Sequence, residues 1–312
     1  MNGSIPLPVA SAPSPRGRRL PRWLKKPLPP GGAMQRTRGL LEGLNLSTVC
    51  VEARCPNLTE CWTRGTATFM VLGARCTRRC HFCAVQTAVP DPPEADEPER
   101  LAEAAAHLGL RHVVITSVAR DDLPDEGAGH FARCIAAVRQ RLPEATVEVL
   151  VPDFHGRSEL IGTVTDARPE VYNHNLETVE SQQKRVRPAG RYRRSLDVLS
   201  LAKELAPGLR TKSGLMVGLG ETRTELERAM KDLCGVGCDI LTLGQYLKPG
   251  EGHVDVERYY PPAEFDELAD VARQLGFAAV ASGPFVRSSY FAETLFAKTD
   301  ELARRPAFER TP

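Results

Sequence analysis

The chain has 312 residues, 41 Lys and Arg against 39 Asp and Glu, 42% hydrophobic and 26% charged residues, a globular composition that excludes disorder as the main state. No apolar run reaches the ~18 residues that cross a bilayer, and the N-terminus lacks the apolar stretch of a signal peptide, so a soluble, cytoplasmic protein with no membrane partner is expected. The net charge of +2 hides an asymmetry: residues 1–41 hold eight bases and no acid, leaving 33 bases against 39 acids in the rest, which argues against a nucleic-acid partner.

Residues 1–33, with eight prolines in the first thirty, read as a flexible basic arm. Its acid-free composition leaves a mitochondrial transit peptide as the second reading. Residues 34–65 form a short cysteine-bearing segment. From there, apolar strand signals at Thr68–Leu72, His112–Thr116, Val147–Val151, Val171–Asn173, Lys212–Val217 and Ile240–Gly244 alternate with helical stretches near 97–109, 127–141, 157–166, 195–206 and 222–234. The alternation predicts an α/β fold, a partial barrel of six parallel strands over residues 66–281. Asp96 and Glu99 predict a capping box on the first of these helices. A helix after Pro261-Pro262, the stretch Phe277–Ala281 and an extension over 282–312 complete the chain. In such a sheet, function sits at the strands' C-terminal ends.

Nine cysteines are unevenly spread, six of them between Cys50 and Cys83. In a chain without secretion signals, clustering favours metal ligation over disulfides. Cys76, Cys80 and Cys83 follow the first strand directly. Three thiolates within eight residues can hold three corners of an iron–sulfur cube and leave one iron open; zinc, with His81 nearby, is the alternative. A second triplet, Cys50, Cys55 and Cys61, lies just upstream and reads as a second cluster. Cys134, Cys234 and Cys238 read as small buried helix residues.

The Cys-x3-Cys-x-Phe-Cys loop, with Phe82 before the last cysteine, resembles the cluster loop of the radical S-adenosylmethionine superfamily. The second triplet, within Cys55-Pro56-Asn57 and Glu60-Cys61-Trp62, resembles that of lipoyl synthases, and the likeness runs from Pro21-Arg22-Trp23-Leu24-Lys25 to Arg287-Ser288-Ser289-Tyr290. It implies two 4Fe–4S clusters, with S-adenosyl-L-methionine chelated at the open iron of the Cys76–Cys83 cluster. It also implies an auxiliary cluster whose fourth ligand is Ser288, or else Ser289. The implied reaction inserts two sulfur atoms, drawn from the auxiliary cluster, at carbons 6 and 8 of an octanoyl-lysine on a lipoyl carrier domain. An electron donor such as a ferredoxin or flavodoxin and a cluster-repair protein are implied as partners. The rivals are another two-cluster radical enzyme of the methylthiolating kind and a metal-binding module without catalysis.

Other residues are candidates for the same pocket. Gly218 and Gly220 lie in a turn after an apolar strand, where backbone approaches a ligand closely. Asn173, Asn175 and Glu177 alternate, so an extended segment aims them to one side, and Arg187 and Lys212 are candidate carboxylate partners. Asp121 and Asp122 are placed either in this pocket or in a solvated loop. Six bases between Lys184 and Arg194 read as a solvated face or as a dock for an acidic carrier domain.

Overall fold

The computed structural model describes residues 20–26 and 32–304. Seven parallel strands form one sheet in chain order: β1 (Thr68–Val71), β2 (His112–Ser117), β3 (Thr146–Leu150), β4 (Val171–Asn173), β5 (Arg210–Val217), β6 (Ile240–Gln245) and β7 (Ala279–Gly283). The six expected strands are joined by a seventh: Ala279–Gly283 pairs with β6 from Ile240↔Ala279 to Gly244↔Gly283. Its Ala-Val-Ala-Ser-Gly sequence is weakly apolar, so it announces itself poorly. Strands such as β2 and β6 are almost wholly buried because helices cover the outside and side chains fill the inside, which is why they read as continuous apolar runs.

The covering helices are α1 (Ala33–Gly43), α2 (Val49–Glu52), α3 (Leu58–Thr63), α4 (Glu97–His107), α5 (Ala128–Arg141), α6 (Ser158–Asp166), α7 (Tyr192–Leu205), α8 (Arg223–Gly235), α9 (Pro262–Gln274) and α10 (Ala292–Arg304). Apolar faces of α4 to α6 close one core cluster against β1 to β3, and those of α7 to α9 a second against β5 and β6. A capping box starts α8, with Thr222 and Glu225 bonded reciprocally. The box expected on α4 does not form: Asp96 makes no cap bond and pairs with Arg100. Glu97 turns inward instead, its carboxylate accepting from Leu72 N (2.9 Å) and from His130 Nε2 (2.7 Å), which ties α4 to the end of β1.

Both ends of the described residues pack on the barrel. Residues 20–26, expected within a flexible arm, are docked: Leu24 is buried and Lys26 is bonded to Asn57 and Glu60. Residues 1–19 and 27–31 of that arm lie outside the described residues, and its last residue, Ala33, begins α1. At the other end, Leu295 of α10 packs on Val171, Ile240 and Ala279, and Phe296 stacks on His112 at 5.8 Å. These are the first residues of four strands, so α10 closes the barrel's N-terminal end. The C-terminal strand ends are left for the site.

Candidate active site

Cys76, Cys80 and Cys83 lie in a loop whose two stems are zipped by a two-residue parallel ribbon, Arg75–Cys76 against Gln86–Thr87. Thr77 N donates to Ala119 O (3.1 Å), His81 N to Val186 O (2.9 Å) and Val254 N to His81 O (3.0 Å), so the loops after β2, β4 and β6 all fasten it. Cys76 Sγ accepts from Ala119 N (3.3 Å) and Arg78 N (3.4 Å). The His81 ring is committed to the loop's fastening, Nδ1 lying 2.7 Å from Arg185 O. Arg78, between the first two cysteines, is gripped by Asp121 (2.6 Å) and Asp153 (2.7 Å) with only 7% of its side chain exposed. Burial acts to raise the Asp153 pKa, but Arg78 beside it wins and holds that carboxyl well below the usual range.

The second triplet comes from α2, the following turn and α3. This segment lines the free edge of β1, where Met70 N donates to Ser47 O (2.9 Å) and Thr48 bridges to Phe69. The segment 285–290 comes across from the β7 side and meets it. Asn57 Nδ2 donates to Phe285 O (2.7 Å) and Tyr290 Oη to Glu60 Oε1 (2.9 Å). Asn175 Nδ2 donates to Ser288 Oγ (2.6 Å), linking that segment to the barrel mouth. Gly244 permits the close approach, since a Cβ there would strike the Val286 carbonyl oxygen. Gly244→Ala should therefore displace residues 285–290 and break their ties to Asn57 and Glu60, which raised hydrogen exchange at those residues checks.

All six cysteines line one cavity of about 870 Å³, together with Asn175, Glu177, Arg187, Met216, Ser288 and Ser289. Its size suits a nucleoside-sized ligand with an apolar chain beside it. Glu177 adopts φ 69°, a left-handed conformation that costs energy outside glycine and collects at functional sites. Burial pushes its carboxyl pKa up against the opposing pull of Arg187 and the Asn175 hydrogen bond. Arg187 Nη1 donates to Asn175 O and Ser195 Oγ, both at 3.1 Å, which fixes the guanidinium at the wall. Phe82 packs with Val186, Leu219 and Tyr246.

The donor sets fit clusters better than single ions. Burial pushes the Cys61 and Cys83 thiols up to about 12 and Cys80 to about 11, and neighbouring sulfurs of the same triplet add to the rise. The three sulfurs of each set are therefore near one another. Among the described residues, however, the only three such ligand atoms within 4.8 Å of one another belong to Asp121, Glu126 and His155. Zinc bonds of ~2.3 Å would draw thiolates closer than either triplet brings them, whereas the corners of a cube stand further apart. Arg78 and Arg157 already pair with Asp121 and Glu126, which disfavours a cation there.

The sequence model of the radical SAM superfamily matches residues 70–233, and that of the N-terminal domain of lipoyl synthase matches residues 11–55. The lipoyl synthase of Methylococcus capsulatus is 55% identical over 276 residues, covering 88% of this chain and 86% of its own. That of Rubrobacter xylanophilus is 53% identical over 293 residues, covering 94% and 90%. The chain belongs to the lipoyl synthase family. Its fold is shared with the hydrogenase maturase HydG (TM-score 0.55, 14% identity, 80% of this chain and 63% of that one). It is shared also with Streptococcus suis SuiB bound to S-adenosylmethionine (TM-score 0.52, 12% identity, 77% and 57%).

Six of the candidate residues in this lipoyl synthase family member lie elsewhere than the cavity wall. Lys212 is fully buried with Nζ on both Glu148 oxygens (2.7 and 3.0 Å), so it has no charge to offer a ligand. Asn173 also bonds Glu148 (3.3 Å). The alternation of Asn173, Asn175 and Glu177 gave a side and not a depth, and Asn173 sits one layer below the other two. The N–H groups of Gly218 and Leu219 are taken by Glu221 (2.7 and 2.8 Å). Gly218 (φ 97°) is required because Gln245 and Arg258 O press on it, and Gly220 faces Glu257 and Arg185. Asp121 serves Arg78 and Asp122 serves Arg120. Cys134 and Cys238 are buried, and Cys234 Sγ donates to Leu275 O (2.9 Å). Arg78 and Gly244 were missed. Arg78's position between Cys76 and Cys80 was a signal, whereas nothing near Gly244 in the sequence tells of Val286.

Proposed function

We propose that the chain inserts two sulfur atoms, at carbons 6 and 8, into an octanoyl-lysine carried on a lipoyl domain. The observation that carries this reading is the convergence of two thiol triplets on one cavity. One set must hold the oxidant and the other must stand within contact of the carbon radical before it escapes. Cys76, Cys80 and Cys83 hold the first 4Fe–4S cluster, and Cys50, Cys55, Cys61 and Ser288 the second. When bound, the first cluster with S-adenosylmethionine supplies the 5′-deoxyadenosyl radical and the second supplies sulfur.

The protein's own groups do the rest. Arg187 offers a fixed guanidinium to a carboxylate, and Glu177 beside it suits an ammonium; Asn175 holds Ser288 in reach of both sites. Ser288, a hard oxygen donor beside three thiolates, is a weak iron ligand, which suits a cluster that gives itself up. Loss of water from the apolar parts of the cavity protects a radical from quenching. The fitting electron donor is of the ferredoxin or flavodoxin class, and a consumed cluster calls for a repair protein.

The test is mass spectrometry of an octanoyl-lysine peptide incubated with the reconstituted enzyme, S-adenosylmethionine and reductant. Enzyme rebuilt with heavy sulfide should pass two heavy sulfurs to one product while light sulfide is in solution. Release of 5′-deoxyadenosine without sulfur insertion, or light sulfur in the product, refutes the reading.

The carrier's dock is proposed on the exposed part of the basic run. Arg187 belongs to the cavity, Arg194 pairs with Asp153 at 2.8 Å and Arg185 bonds Leu219 O. Lys184 and Arg193 are exposed without acidic partners among the described residues. Reversing both to Glu should slow turnover of a folded carrier domain and leave a short octanoyl-lysine peptide unaffected, with the difference shrinking as salt rises.

A further inference from the structure

Lys26, its side chain 24% exposed, touches several groups around the second triplet. Its ammonium donates to Asn57 Oδ1 and, at 2.7 Å, to Glu60 Oε2. It also lies 4.5 Å from the centroid of the Phe285 ring and 5.4 Å from that of Tyr290. Each of its polar partners is shared. The Asn57 amide, on a residue only 1% exposed, gives its other end to Phe285 O. The Glu60 carboxylate gives its other oxygen to Tyr290. Asn57 and Glu60 lie between Cys55 and Cys61, and Phe285 and Tyr290 bracket Ser288.

We propose that Lys26 is a positioning residue that clamps the Ser288-bearing segment onto the Cys50–Cys55–Cys61 site. The inference rests on the reading of that triplet as a cluster site. A lone exposed ion pair is worth little. Here one cation neutralises the carboxylate next to Cys61, satisfies a buried amide and sits against two aromatic rings, so its loss is felt at several groups together. Without it, Glu60 keeps as cation only the more exposed Arg64 at 3.3 Å, Asn57 keeps a buried acceptor without its donor, and the segment carrying Ser288 loses two of its ring contacts. Lys26 does not line the cavity, so its effect reaches the site through the segment that carries Ser288.

The test compares reconstituted unaltered protein with Lys26→Met, which keeps the stem length, and Lys26→Arg, which keeps the charge. Hydrogen exchange is read at residues 284–292, with β2 and β6 as internal controls of folding. Iron release to a chelator is followed in parallel. Lys26→Met should raise exchange at 284–292 and the release of about half the iron roughly tenfold, as for loss of a charged hydrogen-bonded group, with the controls unchanged. Lys26→Arg should restore most of both. Exchange and iron release equal to the unaltered protein's overturn the proposal. If Lys26→Met loosens the whole sheet, Tyr290→Phe, which removes only the hydroxyl on Glu60, decides: local loosening supports the clamp and none overturns it. Unaltered protein that binds iron only at Cys76, Cys80 and Cys83 defeats the cluster reading itself and the clamp with it, and shows this before any variant is made.

Discussion

Replacing Cys76, Cys80 and Cys83 together with Ala is expected to abolish S-adenosylmethionine cleavage and to leave about half the iron, because the open-iron site is lost and the other triplet stays. Replacing Cys50, Cys55 and Cys61 should give the complementary result, cleavage retained and no sulfur in the product. The two sites are separable in this way because they are built on different supports. The first loop hangs from β1 and is fastened by residues after β2, β4 and β6, whereas the second lies outside the β1 edge under residues 285–290. Removing ligands from one leaves the other's backbone ties in place. Iron content, 5′-deoxyadenosine and lipoyl product measured on each variant check the assignment. Retained cleavage in the first variant would refute it.

Lys212→Met is expected to destabilise the fold by roughly 3–5 kcal/mol, the usual cost of leaving one partner of a buried pair uncompensated. Glu148 and Lys212 are 1% and 0% exposed at 2.7 Å. Burial alone would raise the Glu148 pKa; Lys212, with help from His112, reverses this and holds it below its ordinary value. The pair's stabilisation is therefore present above the unfolded carboxyl pKa of ~4.3 and lost as pH falls through the lower folded value. In Lys212→Met the sign inverts. Burial is then met only by the longer hydrogen bonds of His112 and Asn173, the folded carboxyl binds its proton more tightly than the unfolded one, and the deficit is greatest at pH 8 and shrinks toward pH 5. Denaturant unfolding at both pH values measures this, and adding Glu148→Gln should recover much of the loss at pH 8. A deficit independent of pH would mean that the amine contributes packing alone.

What was legible in the sequence was local in the chain. Each cysteine triplet lies within a dozen residues, so spacing alone announced the two thiol sets that the fold brings to one cavity, and β-branched runs announced six strands. What failed needed depth or distance. Lys212 and Asn173 show the right face of a strand, but a barrel interior has layers, and periodicity cannot say which layer reaches the ligand. Gly218 looked like a ligand's approach and serves that of Gln245 and Arg258. Asp96 had the sequence of a cap, yet Glu97 found a better use in the Leu72 N–H. The ties of Asn57 to Phe285 and of Glu60 to Tyr290 cross 228 and 230 residues, and no local pattern foretells them.

Those two spans also set an order of construction. A chain made from its N-terminus emerges with β1 to β6 before residues 285–290 exist, and domains fold as their parts become available. The Cys76–Cys83 loop has its last hydrogen bond from Val254, so it can be finished while the protein is still on the ribosome. Cys50, Cys55 and Cys61 wait, uncovered, until the final segment arrives across the gap. On the proposed assignment, iron delivered during synthesis meets one completed harbour and one with an open side, and a chain stalled before residue 285 would hold the first cluster without the second.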